Sequence, residues 1–144
     1  MIDNTQHIGR LVSIFSNRIN RRLSKELAQY GITSVQAKII GFLHREGQKR
    51  DIFQKNIEEE LDIRRSSVTS VLQLMEKNGY IIRTSDVKDA RLKKILLTEK
   101  GHLTCEKIYT CILDFEKYLE DQMSEEEKNT FISVINRLSN KIID

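Results

Sequence analysis

Two short stretches hold residues whose types and spacing suit a chemical task. The first is Arg64-Arg65-Ser66-Ser67-Val68-Thr69-Ser70-Val71-Leu72-Gln73. Wound into a helix, Val68, Val71 and Leu72 share an inner face, which leaves Arg65, Ser66, Ser67, Thr69, Ser70 and Gln73 outside. Short hydroxyls, an amide and flanking cations suit phosphate oxygens at a helix start and the polar edges of bases in a major groove. A merely solvated helix face more often pairs Glu with Lys four residues on. Capping explains one or two of the serines, but not all six positions. The second stretch is Lys88-Asp89-Ala90-Arg91-Leu92-Lys93. A guanidinium at the tip of a hairpin packs against nothing in its own core and fits a narrow, electronegative minor groove. Asp89, two residues before Arg91, can fix the turn or hold that side chain extended. A charged hairpin with no ligand at all is the plain alternative for either stretch taken singly.

Such residues need a scaffold, and the apolar spacing supplies one. Ile8, Leu11, Val12, Phe15, Ile19, Leu23 and Leu27 repeat with a helical period, with Asp3 or Asn4 as the expected cap. Arg10, Arg18, Arg21 and Arg22 lie on the polar side of this helix. Tyr30-Gly31 closes it, and Thr33-Ser34-Val35-Gln36 has the form of a capping box that opens a second helix to about Glu46. Gly47 is expected as the left-handed stop of that helix. A short third helix is expected from Asp51, with Ile52, Ile57 and Leu61 inward. The turn Asp62-Ile63-Arg64 then leads into a fourth helix from about Arg65 to Asn78, stopped by Gly79. Two helices joined by so tight a turn make a helix-turn-helix. The period then changes, because Tyr80 to Thr84 and Lys93 to Leu97 are β-prone runs around a polar loop, which gives a hairpin, or wing. After Thr98 a long helix carries Cys105, Ile108, Ile112, Phe115 and Leu119. Ser124-Glu125-Glu126-Glu127 is a second capping box, opening a last helix with Phe131, Val134, Ile135, Leu138 and Ile142 on one side.

The fold class that follows is mostly α: a winged helix-turn-helix core, residues 33–98, flanked by terminal helices at 1–32 and 99–144. The apolar stripes of those end helices exceed what so small a core can cover, and two copies interleaving them as a homodimer is the simplest remedy. Fold-back onto the same subunit is the alternative.

Composition narrows the classes further. The chain has 144 residues, no proline, six glycines and a net charge of +3, with the surplus of cations in the middle. Residues 61–100 hold nine basic and five acidic side chains, and 101–144 hold five and nine. No leader pattern and no apolar run long enough for a membrane span occurs, so a cytoplasmic protein without membrane contact is expected. An enzyme is disfavoured, since no glycine-rich phosphate loop, nucleophile elbow or serine or cysteine set beside a histidine occurs. Catalytic residues, a resident cofactor and a metal are therefore not expected. Cys105 and Cys111 sit six apart on one helix and point in different directions, so a disulfide between them within one subunit is not expected. The histidines are isolated, although the second and fifth helices can bring His44 and His102 together.

Two segments together resemble the MarR family (multiple antibiotic resistance regulators). They are DARLKKILLTEKG, Asp89 to Gly101, and SSVTSVLQLMEKNGYI, Ser66 to Ile81, which ends in the glycine-aromatic-isoleucine step into the wing. The flanking helices follow the family's order, so the resemblance spans the chain. It implies a dimeric transcription factor, usually a repressor, bound to a pseudo-palindromic double-stranded operator and released by a small molecule or stress signal. By position, Arg64, Arg65, Ser66, Ser67, Thr69 and Ser70 would face the major groove, while Asp89 and Arg91 would form the minor-groove contact. The effector expected from the resemblance is small and anionic or aromatic. This chain departs from the family at Glu58, where alanine is frequent, at Asp62, where glycine is, and at Ser70, where arginine is. No cysteine lies near the start of the first helix, where the peroxide-sensing branch has one. The rival reading is a winged helix that binds protein rather than DNA.

Overall fold

The computed structural model describes residues 3–143, which form two compact units, Met1–Thr110 and Cys111–Asp144. In chain order the elements are α1 (Ile8–Leu27), α2 (Ser34–Glu46), α3 (Gln54–Leu61), α4 (Arg65–Lys77), β1 (Ile81–Ser85), β2 (Lys93–Leu97), α5 (Glu99–Asp121) and α6 (Glu125–Lys141). This is the mostly helical, winged helix-turn-helix architecture that the spacing predicts.

Local chemistry sets most boundaries in the first unit. The Thr33 hydroxyl accepts the Gln36 N–H at 3.2 Å and the Gln36 carboxamide accepts the Thr33 N–H at 3.0 Å, so α2 opens on a complete capping box. Asp62 closes α3 in the left-handed region, at φ 52°, a conformation that short polar side chains tolerate. Its neighbours Ile63 and Arg64 complete the three-residue turn into α4. Glu58, one of the departures from the family pattern, is only half-buried, so its carboxylate reaches water. At the far end of α4, Gly79 takes φ 81° and lets the chain turn into β1.

The core of this unit gathers one face from each helix. Leu27 of α1, Ile39 and Ile40 of α2, Ile57 of α3, Leu72 and Met75 of α4 and Ile108 of α5 are almost wholly removed from solvent, as are Ile81 and Ile95 of the hairpin. Each such side chain contributes about 1.5–3 kcal/mol by leaving water. Val68 is buried beside them, whereas Val71 and Leu61 are half-buried. The antiparallel pair runs from Ile81 opposite Leu97 to Ser85 opposite Lys93.

Three expectations need correction. Helix α3 begins at Gln54 rather than Asp51, because Phe53 is extended as its N-cap and the Ile52 carbonyl accepts the Ile95 N–H at 2.8 Å. That single backbone bond ties the segment before α3 to β2, a contact that local periodicity cannot reveal. The second corrected position is Gly47, which follows α2 in the right-handed region, at φ −64°, not the left-handed one. Asp3 caps a separate 3-10 turn, Asn4–Gln6, by accepting the Thr5 N–H, and α1 starts after His7.

In the second unit, Ser124 and Glu127 exchange hydrogen bonds of 3.1 and 2.9 Å and form the expected capping box of α6. Helix α5 crosses from one unit to the other. Phe131, Ile132, Ile135 and Leu138 of α6 stay exposed, as do Ile8, Leu11, Val12 and Phe15 of α1 in the first unit.

Candidate nucleic-acid interface

Helix α4 and the wing hold every residue singled out from the sequence. Arg64 caps α4 and Arg65 opens it, both exposed and without a salt bridge among the described residues. Ser66, Ser67 and Gln73 are exposed as well, and none has a side-chain hydrogen bond among the described residues. These five side chains offer free donors and acceptors beside a row of buried valine, leucine and methionine that fixes the helix from behind.

Thr69 and Ser70 differ from that group. The Thr69 hydroxyl donates to the Arg65 carbonyl at 2.9 Å, and the Ser70 hydroxyl donates to the Ser66 carbonyl at 3.2 Å. Both therefore spend their proton on the preceding turn of their own helix. Thr69 also accepts from the Gln54 amide at 2.7 Å. Gln54 lies on α3 and went unnoticed in the sequence, since nothing in a glutamine eleven residues upstream marks it as a partner of α4.

The wing is organised around Asp89. Its carboxylate accepts the Arg91 backbone N–H at 3.0 Å and two guanidinium N–H groups at 3.2 Å each. One carboxylate therefore both ties the turn and splints the arginine. The Arg91 side chain remains 91% exposed. Two backbone bonds, Asp86 N–H to the Leu92 carbonyl at 2.9 Å and Leu92 N–H to the Asp89 carbonyl at 3.0 Å, close the loop. Lys88 is exposed at the tip, whereas Lys93 donates to the Ser85 hydroxyl across the strands at 2.8 Å.

Arg91's hydrogen bonds, the side-chain ones foremost, hold the Asp89 carboxyl below the ordinary aspartate range. A lowered folded-state pKa means that the contact is at full strength above the unfolded value and is lost as pH falls through the folded one. The Asp89 carboxyl, followed by NMR in an acid titration, is expected to protonate later than an unstructured aspartate. In Arg91→Ala that lag should shrink, and an unchanged midpoint would refute the pairing.

The wing is also fastened to α4. Arg83 of β1 donates to both carboxylate oxygens of Glu76 at 3.3 and 3.0 Å, and this lowers the Glu76 pKa. Behind them, the Thr98 hydroxyl donates to the Gly79 carbonyl at 2.6 Å and Lys100 donates to the Asn78 carbonyl at 2.7 Å. The same Thr98 oxygen accepts the Gly101 N–H at 3.1 Å, so it caps α5 as expected. Arg83 was another residue that sequence spacing missed.

Other candidates fall outside this surface. His44 and His102 do meet, with Nδ1 atoms 3.2 Å apart, a distance suited to one N–H···N bond. No group of three or more His, Cys, Asp or Glu that could hold a metal ion occurs among the described residues. Burial, and then the charge of Glu106, push the Cys105 thiol up, which is opposite to the activation that a reactive cysteine needs. A cleft of about 550 Å³ is lined by Tyr30, Tyr80, Lys100 and Lys107, among others, and by none of the first-helix arginines. Among the described residues no helix is long and apolar enough to cross a membrane.

The fold is a winged helix-turn-helix of the kind that transcriptional regulators carry. The model of the MarR family matches residues 30–92. PecS of Dickeya dadantii (strain 3937), an HTH-type transcriptional regulator, is 27% identical over 137 residues, covering 95% of this chain and 82% of PecS. Among solved structures, MarR from Oenococcus oeni PSU-1 is 29% identical with a TM-score of 0.69, over 92% of this chain and 98% of that one. MepR of S. aureus in its DNA-binding conformation is 25% identical with a TM-score of 0.81, over 94% and 98%. The chain is thus similar to the MarR family over its winged helix-turn-helix core.

Proposed function

We propose that the protein is a homodimeric repressor that reads a pseudo-palindromic operator with α4 in the major groove and the wing in the minor groove. A small anionic or aromatic effector then releases it. The observation that carries this reading is the unpaired, exposed set Arg64, Arg65, Ser66, Ser67 and Gln73, beside a wing whose arginine is splinted outward. MepR, whose fold this chain shares, is known in a DNA-binding conformation, which supports the assignment. The exposed apolar residues of α1 in one unit, and of α6 in the other, are each of the kind that a symmetric partner covers. Two copies of α4 would have to stand about 34 Å apart to enter successive major grooves, and an effector need only favour another spacing. The cleft, with Lys107 and Tyr30 in its lining, offers a cation and a ring face of the kind such an effector needs.

The test is binding to the DNA upstream of the protein's own coding sequence across a range of salt. One phosphate neutralised by each of Arg64, Arg65, Lys88 and Arg91 in both subunits gives a log–log slope of about −7. A slope near zero would favour the rival reading, a winged helix that docks protein. Sedimentation of the same sample should give twice the 16.9 kDa chain mass.

A further inference from the structure

One side chain on the proposed reading face has no hydrogen-bond donor left to offer. The Gln54 Nε2 lies 2.7 Å from the Thr69 Oγ1 and 3.3 Å from the Arg65 carbonyl oxygen. A carbonyl can only accept, so the nitrogen of the Gln54 carboxamide must be the atom facing it, which fixes the orientation of the amide. The Thr69 hydroxyl then receives a proton from Gln54 and sends its own to Arg65, at 2.9 Å. Its donor is consumed and one of its two lone pairs is engaged, on a side chain that stays half-exposed. What Thr69 has left to offer, besides one lone pair, is its γ-methyl.

In the major groove the only apolar feature of a base pair is the C5-methyl of thymine, and a threonine methyl is a matching partner for it. We propose that Gln54 is a positioning residue that converts Thr69 into a methyl reader, so that α4 selects thymine at the base step that Thr69 faces. The inference rests on α4 being the DNA-reading helix. Gln54 itself touches no base. It acts by occupying the hydroxyl that would otherwise hydrogen-bond to a competing base edge.

The experiment uses the full-length protein and duplexes selected by it from a random pool, with each thymine in turn replaced by deoxyuridine, which removes the methyl and nothing else. At one symmetry-related position the loss should be about fourfold per half-site, the worth of one buried methyl group. Thr69→Ser keeps the hydroxyl and lacks the methyl, so its affinities for the two duplexes should be equal. Thr69→Val keeps a methyl and lacks the hydroxyl, so it should still discriminate. Gln54→Met, similar in size and unable to donate, should narrow the thymine-to-deoxyuridine ratio while leaving the salt slope and the helical circular dichroism unchanged. A merely structural role for Gln54 would not move that ratio. Equal binding of every deoxyuridine duplex by the unmodified protein, or discrimination that survives in Thr69→Ser, overturns the inference while leaving DNA binding intact. Failure to bind any duplex removes the reading of α4 as well.

Discussion

Arg91→Ala is expected to weaken binding of the selected duplex by about 1–3 kcal/mol, roughly five- to 150-fold, with no change in assembly state. The guanidinium is 91% exposed and its only partners are on Asp89, two residues away, so removing it leaves no buried group unsatisfied and the fold keeps its stability. Arg91→Lys should recover only part of the loss, since an ammonium is a point charge that cannot match the fork made with Asp89. Fluorescence anisotropy at fixed salt, together with the melting temperature of each variant, is the measurement. Wild-type affinity in Arg91→Ala would show that the wing points at nothing.

The second large effect concerns the joint between the wing and α5. A Cβ placed on Gly101 would press on the Tyr80 carbonyl oxygen and come within 2.8 Å of the Leu97 Cδ2. A backbone oxygen already held by the Thr98 N–H at 3.0 Å has little freedom to retreat. Gly101→Ala should therefore cost about 1–3 kcal/mol in denaturant unfolding, each kilocalorie lowering the melting temperature by roughly 2–4 °C. Gly9 is the control. Nothing lies within 4 Å of its added Cβ, so Gly9→Ala on exposed α1 should be neutral or stabilising by up to about 1 kcal/mol. Equal stability of the two variants would remove the steric reason for a glycine at 101.

These two residues also show what can be read from sequence and what cannot. Local rules sufficed wherever neighbours in the chain set the outcome: the Thr33 and Ser124 capping boxes, the Asp62 turn, the Asp89–Arg91 splint and the register start at Lys93 all depend on partners within four residues or on hairpin pairing. The misses depend on distant partners. The Ile52 carbonyl is held by the Ile95 N–H, and no periodicity over residues 51–61 contains that information. Gln54 and Thr69 are fifteen residues apart and Glu76 and Arg83 seven, on different elements in each case. The outer face of α4 was legible as a set of polar positions. Which hydroxyls on it remain available is a property of the folded state, because Thr69 and Ser70 turn theirs back onto the helix.

The two-pronged clasp between Glu76 and Arg83 ties the start of the hairpin to the end of α4, like the pivot of a calliper. On the proposed reading its jaws are the outer face of α4 and the tip of the hairpin. A double helix advances 3.4 Å per base pair, so a target with one pair added between the two contacted tracts should meet only one jaw at a time. Tolerance for such spacers would then belong to sequences that can be stretched or bent to fit, rather than to any give in the protein.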